Sequence, residues 1–150
     1  MEELFDLIDA HIADAHFSGP TSDASIDTAE MLLGLVFSPS YKEFLKRFGA
    51  GHLYAVEVYG IVNDTADSEP LAPNAIGITL KLRSKYGLPP TYIAVGDTGY
   101  GEYYVLEAST EARDIELPVR LWSPAAIDEV DAPSFASYLY ERLANMIEYQ

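Results

Sequence analysis

From Ser38 to Gly51 the sequence reads SPSYKEFLKRFGAG, a helix with both of its ends written into it. Ser38 is a natural N-cap, Pro39 suits the first helical position, and Tyr41, Phe44, Leu45 and Phe48 form an i, i+3, i+4, i+7 stripe that Gly49 closes. Lys46 and Arg47 fall in the last turn, where positive charge favours the helix dipole. A stripe this apolar must be buried, and the chain supplies partners on both sides. Upstream, Leu4, Phe5, Ile8, Ile12 and Ala15 share one face and predict a helix over Glu2 to His16, stopped by Gly19 and Pro20. A short helix is expected from Ile26 to Leu33, with Ser25 as its N-cap and Gly34 free to take the left-handed conformation that ends it. Near the C-terminus, Phe135, Tyr138, Leu139, Leu143, Met146 and Ile147 mark the apolar face of a helix over Ser134 to Ile147.

Between these helices the hydrophobic period changes. Leu53 to Val62 is rich in β-branched and aromatic residues and alternates at Tyr54, Val56 and Val58, which predicts a strand. Asn63 to Pro73 reads as a polar loop. The stretch Asn74 to Tyr86 fits either period, because Ile76, Ile78, Leu80 and Leu82 alternate while Ile76, Thr79, Leu80, Arg83 and Tyr86 have helical spacing before Gly87. Strands are expected at Thr91 to Gly96 and Glu102 to Ala108, joined by DTGYG as a hairpin. Pro118 to Trp122 reads as a further strand, at an edge because it opens with proline. Helices at both ends around consecutive strands give an α+β fold, with a mainly antiparallel or mixed sheet in one domain over residues 1–150.

At 150 residues a chain buries about 68–70% of its unfolded surface and needs no cross-link, and this one has no cysteine. No apolar run approaches the ~18 residues of a membrane span, and the acidic start MEELFDLIDA is unlike a secretory signal, so a cytoplasmic protein is expected. Nine Lys plus Arg stand against 24 Asp plus Glu, a formal charge of −15, and the first 41 residues contain no basic side chain apart from histidine. Such a balance disfavours nucleic acid and anionic membranes, which bind through cations. It favours instead a basic protein partner, since long-range attraction speeds encounter.

The residue types that carry chemistry do not assemble into a known reactive pattern. His11 and His16 lack the i, i+4 spacing of a helical metal pair, and His52 stands alone after a glycine turn. Asn63, Asp64, Asp67 and Glu69 resemble the start of a calcium loop, but Ser68 and Asn74 occupy the positions that require Gly and Glu. GDTGYG, residues 96–101, lacks the Lys-Ser/Thr of a phosphate loop and connects strand to strand. No serine elbow or cysteine nucleophile exists, and no two carboxylates are set apart by spacing. The expectation is a non-enzyme without metal or cofactor. Recognition is the better use of these residues: Asp97, Tyr100, Glu102, Tyr103 and Tyr104 place acids and aromatics on one hairpin, and tyrosine offers large contact area at small entropic cost. Strand alternation predicts that one of Tyr103 and Tyr104 is buried and the other exposed.

The order Ile26, Ala29-Glu30, Leu33-Gly34, Ser38-Pro39, Tyr41-Lys42, Phe44-Leu45 and Gly49-Ala50-Gly51 resembles the N-terminal signature of the SUKH superfamily, the cell-wall-regulator-like immunity proteins. Tyr92 to Gly96, Asp97, Tyr103-Tyr104, Pro118-Val119, Trp122 and Ser134-Phe135 are similar to its later strands and closing helix. Gly49 to Leu53 and Lys85-Tyr86-Gly87-Leu88 look like its YobK-type branch. The family-like core spans 26–148, with a helix over 1–17 ahead of it. The resemblance implies a sheet flanked by helices and favours helix for Asn74 to Tyr86. It also implies an immunity protein, an antitoxin that neutralises a cognate toxin, here expected to be a basic nuclease. The alternative is a regulatory or scaffold domain without a toxin partner, as in eukaryotic relatives.

Overall fold

A computed structural model describes residues 1–62, 74–108, 110, 111 and 114–149, and for 126–128 the backbone alone. Helix α1 covers Glu2–Ala10 and stops well short of His16. Its apolar stripe is spent at Leu4 and Ile8; Ile12 lies in a 3-10 turn, Ile12–Asp14, with half its surface in solvent. Ala15–Phe17 then forms strand β1, whose Phe17 packs its ring against Phe44 and Phe48. Strand pairing here overrides a helical pattern that was only one residue deep in its last turn. Helix α2, Asp23–Leu33, starts earlier than expected because Ser22, not Ser25, is the N-cap: the Ser22 hydroxyl accepts from the Ser25 N–H at 3.1 Å. Gly34 ends it at φ 69°, as expected. Helix α3, Pro39–Phe48, has the predicted bounds, and Gly49 follows it. Ser38 has the extended backbone of a cap, yet its side chain makes no capping bond. Glu116 serves α3 instead, accepting from the Ser40 N–H at 2.7 Å and the Ser40 hydroxyl at 2.9 Å.

The strand expected over Leu53 to Val62 is a hairpin. Strands β2, Gly51–Leu53, and β3, Val56–Val58, are joined by Tyr54 and Ala55, with Leu53 opposite Val56. The two-residue reversal shifts the inward positions from 51 and 53 to 56 and 58, and Tyr54, inside the turn, is in phase with Val56 and Val58, so the alternation read from Tyr54 onward conceals it. Tyr54 takes φ 52°, the one positive φ at a non-glycine residue in the described chain, and its hydroxyl is held by His11 at 2.9 Å and Asp14 at 3.2 Å. The polar loop read at Asn63 to Pro73, and the calcium-like set Asn63, Asp64, Asp67 and Glu69, lie outside the described residues.

Helix α4, Ala75–Tyr86, resolves the ambiguous stretch in favour of helix. Its ends explain the outcome: the Asn74 side chain accepts from the Ile76 N–H at 2.9 Å, and Gly87 terminates it at φ 73°. The buried residues Ala75, Thr79 and Leu82 then fall on one face. Strand β4, Tyr92–Asp97, carries an irregularity between Ala94 and Gly96, and the Thr79 hydroxyl accepts from the Ala94 N–H at 3.0 Å. Strands β5, Tyr103–Glu107, β6, Val119–Ser123, and β7, Ala126–Ala132, complete an antiparallel four-stranded sheet in the order β4-β5-β6-β7. The expected edge strand at Pro118 to Trp122 is therefore interior. Pro118 stands just outside it with its carbonyl accepting from Glu107 N–H at 3.0 Å, so the missing proline donor costs no ladder bond. The edge belongs to β7, whose sequence AIDEVDA is too acidic for its strand pattern to have been read.

Helix α5, Phe135–Glu148, capped by Ser134, closes the chain. Strands β1-β2-β3 form a second antiparallel sheet, and the two sheets meet where the Tyr59 N–H donates to the Val95 carbonyl at 2.9 Å. The fold is thus α+β, with five helices and two antiparallel sheets among the described residues and helices at both ends. Its core is a run of aromatic rings: Phe5, Phe17, Phe44 and Phe48 on one side lead through Phe135 and Tyr41 to Phe37, each ring within 4.9–5.8 Å of a neighbour.

Candidate protein-docking site

The β4–β5 hairpin is stiffened by its own side chains. Asp97 Oδ1 accepts from the Gly99 N–H at 2.8 Å, Thr98 Oγ1 accepts from the Tyr100 N–H at 3.1 Å, and the Thr98 N–H closes the loop on the Glu102 carbonyl at 3.1 Å. Gly99 and Gly101 adopt φ 81° and 89°, which the reversal requires. The outcome is a fixed tip that holds Tyr100 90% exposed, the most exposed large aromatic or aliphatic side chain among the described residues. A rigid loop presenting one large amphipathic side chain pays little ordering entropy on binding.

Tyr103 and Tyr104 are both half-buried, against the expected split of one in and one out. They do face opposite sides of the sheet, as alternation demands, but each side is only partly covered. Tyr104 turns toward α5, with its ring 4.9 Å from that of Tyr138 and the Arg142 guanidinium 4.6 Å above it. Tyr103 turns toward α4 and lines a groove of about 400 Å³. Ile78, Leu82 and Tyr86, at i, i+4 and i+8 of α4, form one wall with Lys81; Tyr59 and Tyr103 come from the strands; Gly101 and Pro124 complete the rim. The hairpin set is thereby divided: Tyr103 lines the groove and Tyr100 adjoins its rim at Gly101, Tyr104 belongs to the α5 packing within reach of the Glu102 charge, and Asp97 joins the two through its carboxylate. Asp97 Oδ2 accepts a hydrogen bond from the Tyr59 hydroxyl.

Tyr59, Tyr86, Ile78 and Lys81 escaped the sequence reading. The last three become a recognisable face once Asn74 to Tyr86 is known to be helix; Tyr59 carried no signal beyond its place in a β-rich stretch. A second, smaller groove of about 190 Å³ between α1 and α5 has Glu3 and Glu141 on its walls. No group of three or more His, Asp or Glu side chains among the described residues is arranged to hold a metal ion.

Burial pushes the Tyr41 and Tyr138 phenols above the ordinary tyrosine range, the latter against the opposing charge of Arg142. Tyr59 is raised too, by burial first and then by its bond to Asp97 and that carboxylate's charge. Each proton is held more tightly in the folded than in the unfolded chain. The stability these groups contribute is therefore intact below the unfolded tyrosine pKa of about 10 and is lost as pH rises above it. Denaturant midpoints measured across that range are expected to fall steadily, with phenolate absorbance from these three appearing together with unfolding.

No helix among the described residues is long and apolar enough to cross a membrane. A family model described as SUKH_5, SMI1-KNR4 cell-wall, matches residues 1–144, a span that takes in α1 as well as the strands and the first ten residues of α5.

Proposed function

The chain belongs to the SUKH superfamily, within its SMI1-KNR4 cell-wall family, and from that premise we propose that it is a non-catalytic immunity protein that docks on a basic toxin domain and neutralises it. The observation that carries the reading is Tyr100, held almost fully exposed on a stiff hairpin tip beside a tyrosine-lined groove. Exposed aromatics at such places supply most of the energy of protein interfaces, with surrounding contacts excluding water. The formal charge of −15 adds steering toward a cationic surface, which a nuclease presents because it holds phosphates. Asp97 and Glu102 contribute at the hairpin itself, Asp97 mainly by fixing its shape. The mechanism is occlusion: Tyr100 and Tyr103 seat on the toxin, acids meet its cations at the rim, and no bond is broken.

The test is co-expression of the whole chain with the toxin domain encoded beside it. Growth rescue, together with a complex whose affinity drops as salt rises, is the expected result. Absence of both contradicts the reading, and a complex without rescue points to a regulatory or scaffold role on the same surface.

A further inference from the structure

All three histidines of the chain, far apart in sequence, converge around the Tyr54 reversal. His16 on β1 lies directly opposite His52 on β2 in the antiparallel register, flanked by the pairs Ala15–Leu53 and Phe17–Gly51. Both side chains are exposed, with ring centroids 5.0 Å apart and planes 36° from parallel. Gly51 is what allows this approach: a Cβ there would stand 2.0 Å from the His16 carbonyl oxygen. The next strand places Glu57 opposite His52, also exposed, so His16, His52 and Glu57 form a row across the outward face.

The tautomer of His52 follows from its partner. His52 Nδ1 lies 3.1 Å from the Tyr54 carbonyl oxygen, which can only accept, so Nδ1 carries the proton and the Nε2 lone pair of the neutral ring is left outward. A backbone carbonyl receiving the distal N–H is the arrangement that orients metal-bound imidazoles and raises their basicity.

We propose that His16 and His52 form a two-histidine site for a divalent first-row cation of the zinc, nickel or copper class. Imidazole suits these metals, and the strand register sets the two rings side by side, that of His52 held through Nδ1. Water completes the coordination shell, and Glu57 supplies a neighbouring negative charge. With two protein ligands, the site binds more weakly than a closed four-ligand structural site. A bound cation ties β1 to β2 and so stabilises the N-terminal arm of the smaller sheet by mass action. The site lies on a different sheet from the hairpin, and its test does not depend on any toxin.

The experiment titrates Zn2+ alone into the metal-free whole chain, and into His16→Ala, His52→Ala and His11→Ala, by calorimetry with histidine NMR resonances as a second readout. Both ligand side chains are exposed, so their variants are expected to fold, and circular dichroism checks that they do. Expected is one equivalent bound, perturbing the His16 and His52 resonances, with affinity falling at least about tenfold in His16→Ala and in His52→Ala but unchanged in His11→Ala. Equal Zn2+ affinity in all four proteins, or binding that leaves the His16 and His52 resonances unmoved, overturns the proposal and assigns the metal to surface carboxylates.

Discussion

Replacing Phe44 with alanine is expected to cost about 3–5 kcal/mol of stability, a large part of the ~5–15 kcal/mol that holds a domain together. Phe44 is fully buried and stands at the junction of the aromatic core, its ring 5.8 Å from Phe17, 5.4 Å from Phe48 and 5.5 Å from Phe135. Those partners come from β1, α3 and α5, three elements that cannot all collapse into the vacated space at once. The cavity term should therefore be near the top of its range. Urea unfolding checks this: the midpoint drops while the slope stays constant, since the folded topology is unchanged.

Gly60→Ala should be nearly as damaging for the opposite reason. A Cβ at residue 60 would lie 1.9 Å from the Gly49 carbonyl oxygen and 3.0 Å from the Ala50 Cα, so the obstacle is backbone and has no rotamer to escape into. Gly60 also accepts from the Ala75 N–H at 2.9 Å, which ties the start of α4 to the strand end. Relieving the clash means moving the α3 end, β2 or the start of α4, and a loss of at least about 3 kcal/mol is expected, the upper part of the overpacking range. Gly77→Ala is the control: nothing lies within 4 Å of a Cβ there, and alanine suits a helix interior. A thermal melt that lowers the midpoint for Gly60→Ala and leaves Gly77→Ala unchanged or higher is the expected pattern.

These positions show why the fold was legible in the sequence and the groove beside the candidate hairpin was not. The residues carrying the family resemblance are core and joints. Ile26, Ala29, Leu33, Tyr41, Phe44 and Leu45 are buried; Glu30 accepts from the Phe37 N–H at 2.7 Å and pairs with Lys42 at 3.4 Å; the Tyr41 hydroxyl donates to the Tyr59 carbonyl at 2.9 Å. Such contacts are dictated by local pattern and short spacing, so order along the chain reveals them. Three elements misled. Tyr54 in the β2–β3 turn stands in phase with Val56 and Val58, β1 followed helical spacing for one turn, and β7 showed no clean pattern at all. The site failed to appear for a different reason. Its groove joins residue 59, one face of α4, the hairpin and Pro124, and no single period along the chain spans those four places. Only Tyr100 and its neighbours could be singled out locally, and even there the opposite facing of Tyr103 and Tyr104 mattered more than the burial that alternation predicted.

In the proposed complex Tyr100 and Tyr103, and not the acidic surface at large, provide the binding energy. The direct measurement is the affinity of the toxin domain for the unaltered chain, for Tyr100→Ala combined with Tyr103→Ala, and for Tyr149→Ala, another highly exposed tyrosine far along the chain. Tyr100→Ala by itself should change stability by less than about 0.5 kcal/mol, because the side chain is exposed and the loop bonds, that of the Tyr100 N–H included, do not use it. The double variant is expected to lose about 2–4 kcal/mol of binding, roughly 30-fold or more, while Tyr149→Ala binds normally. Undiminished affinity in a folded double variant would contradict it.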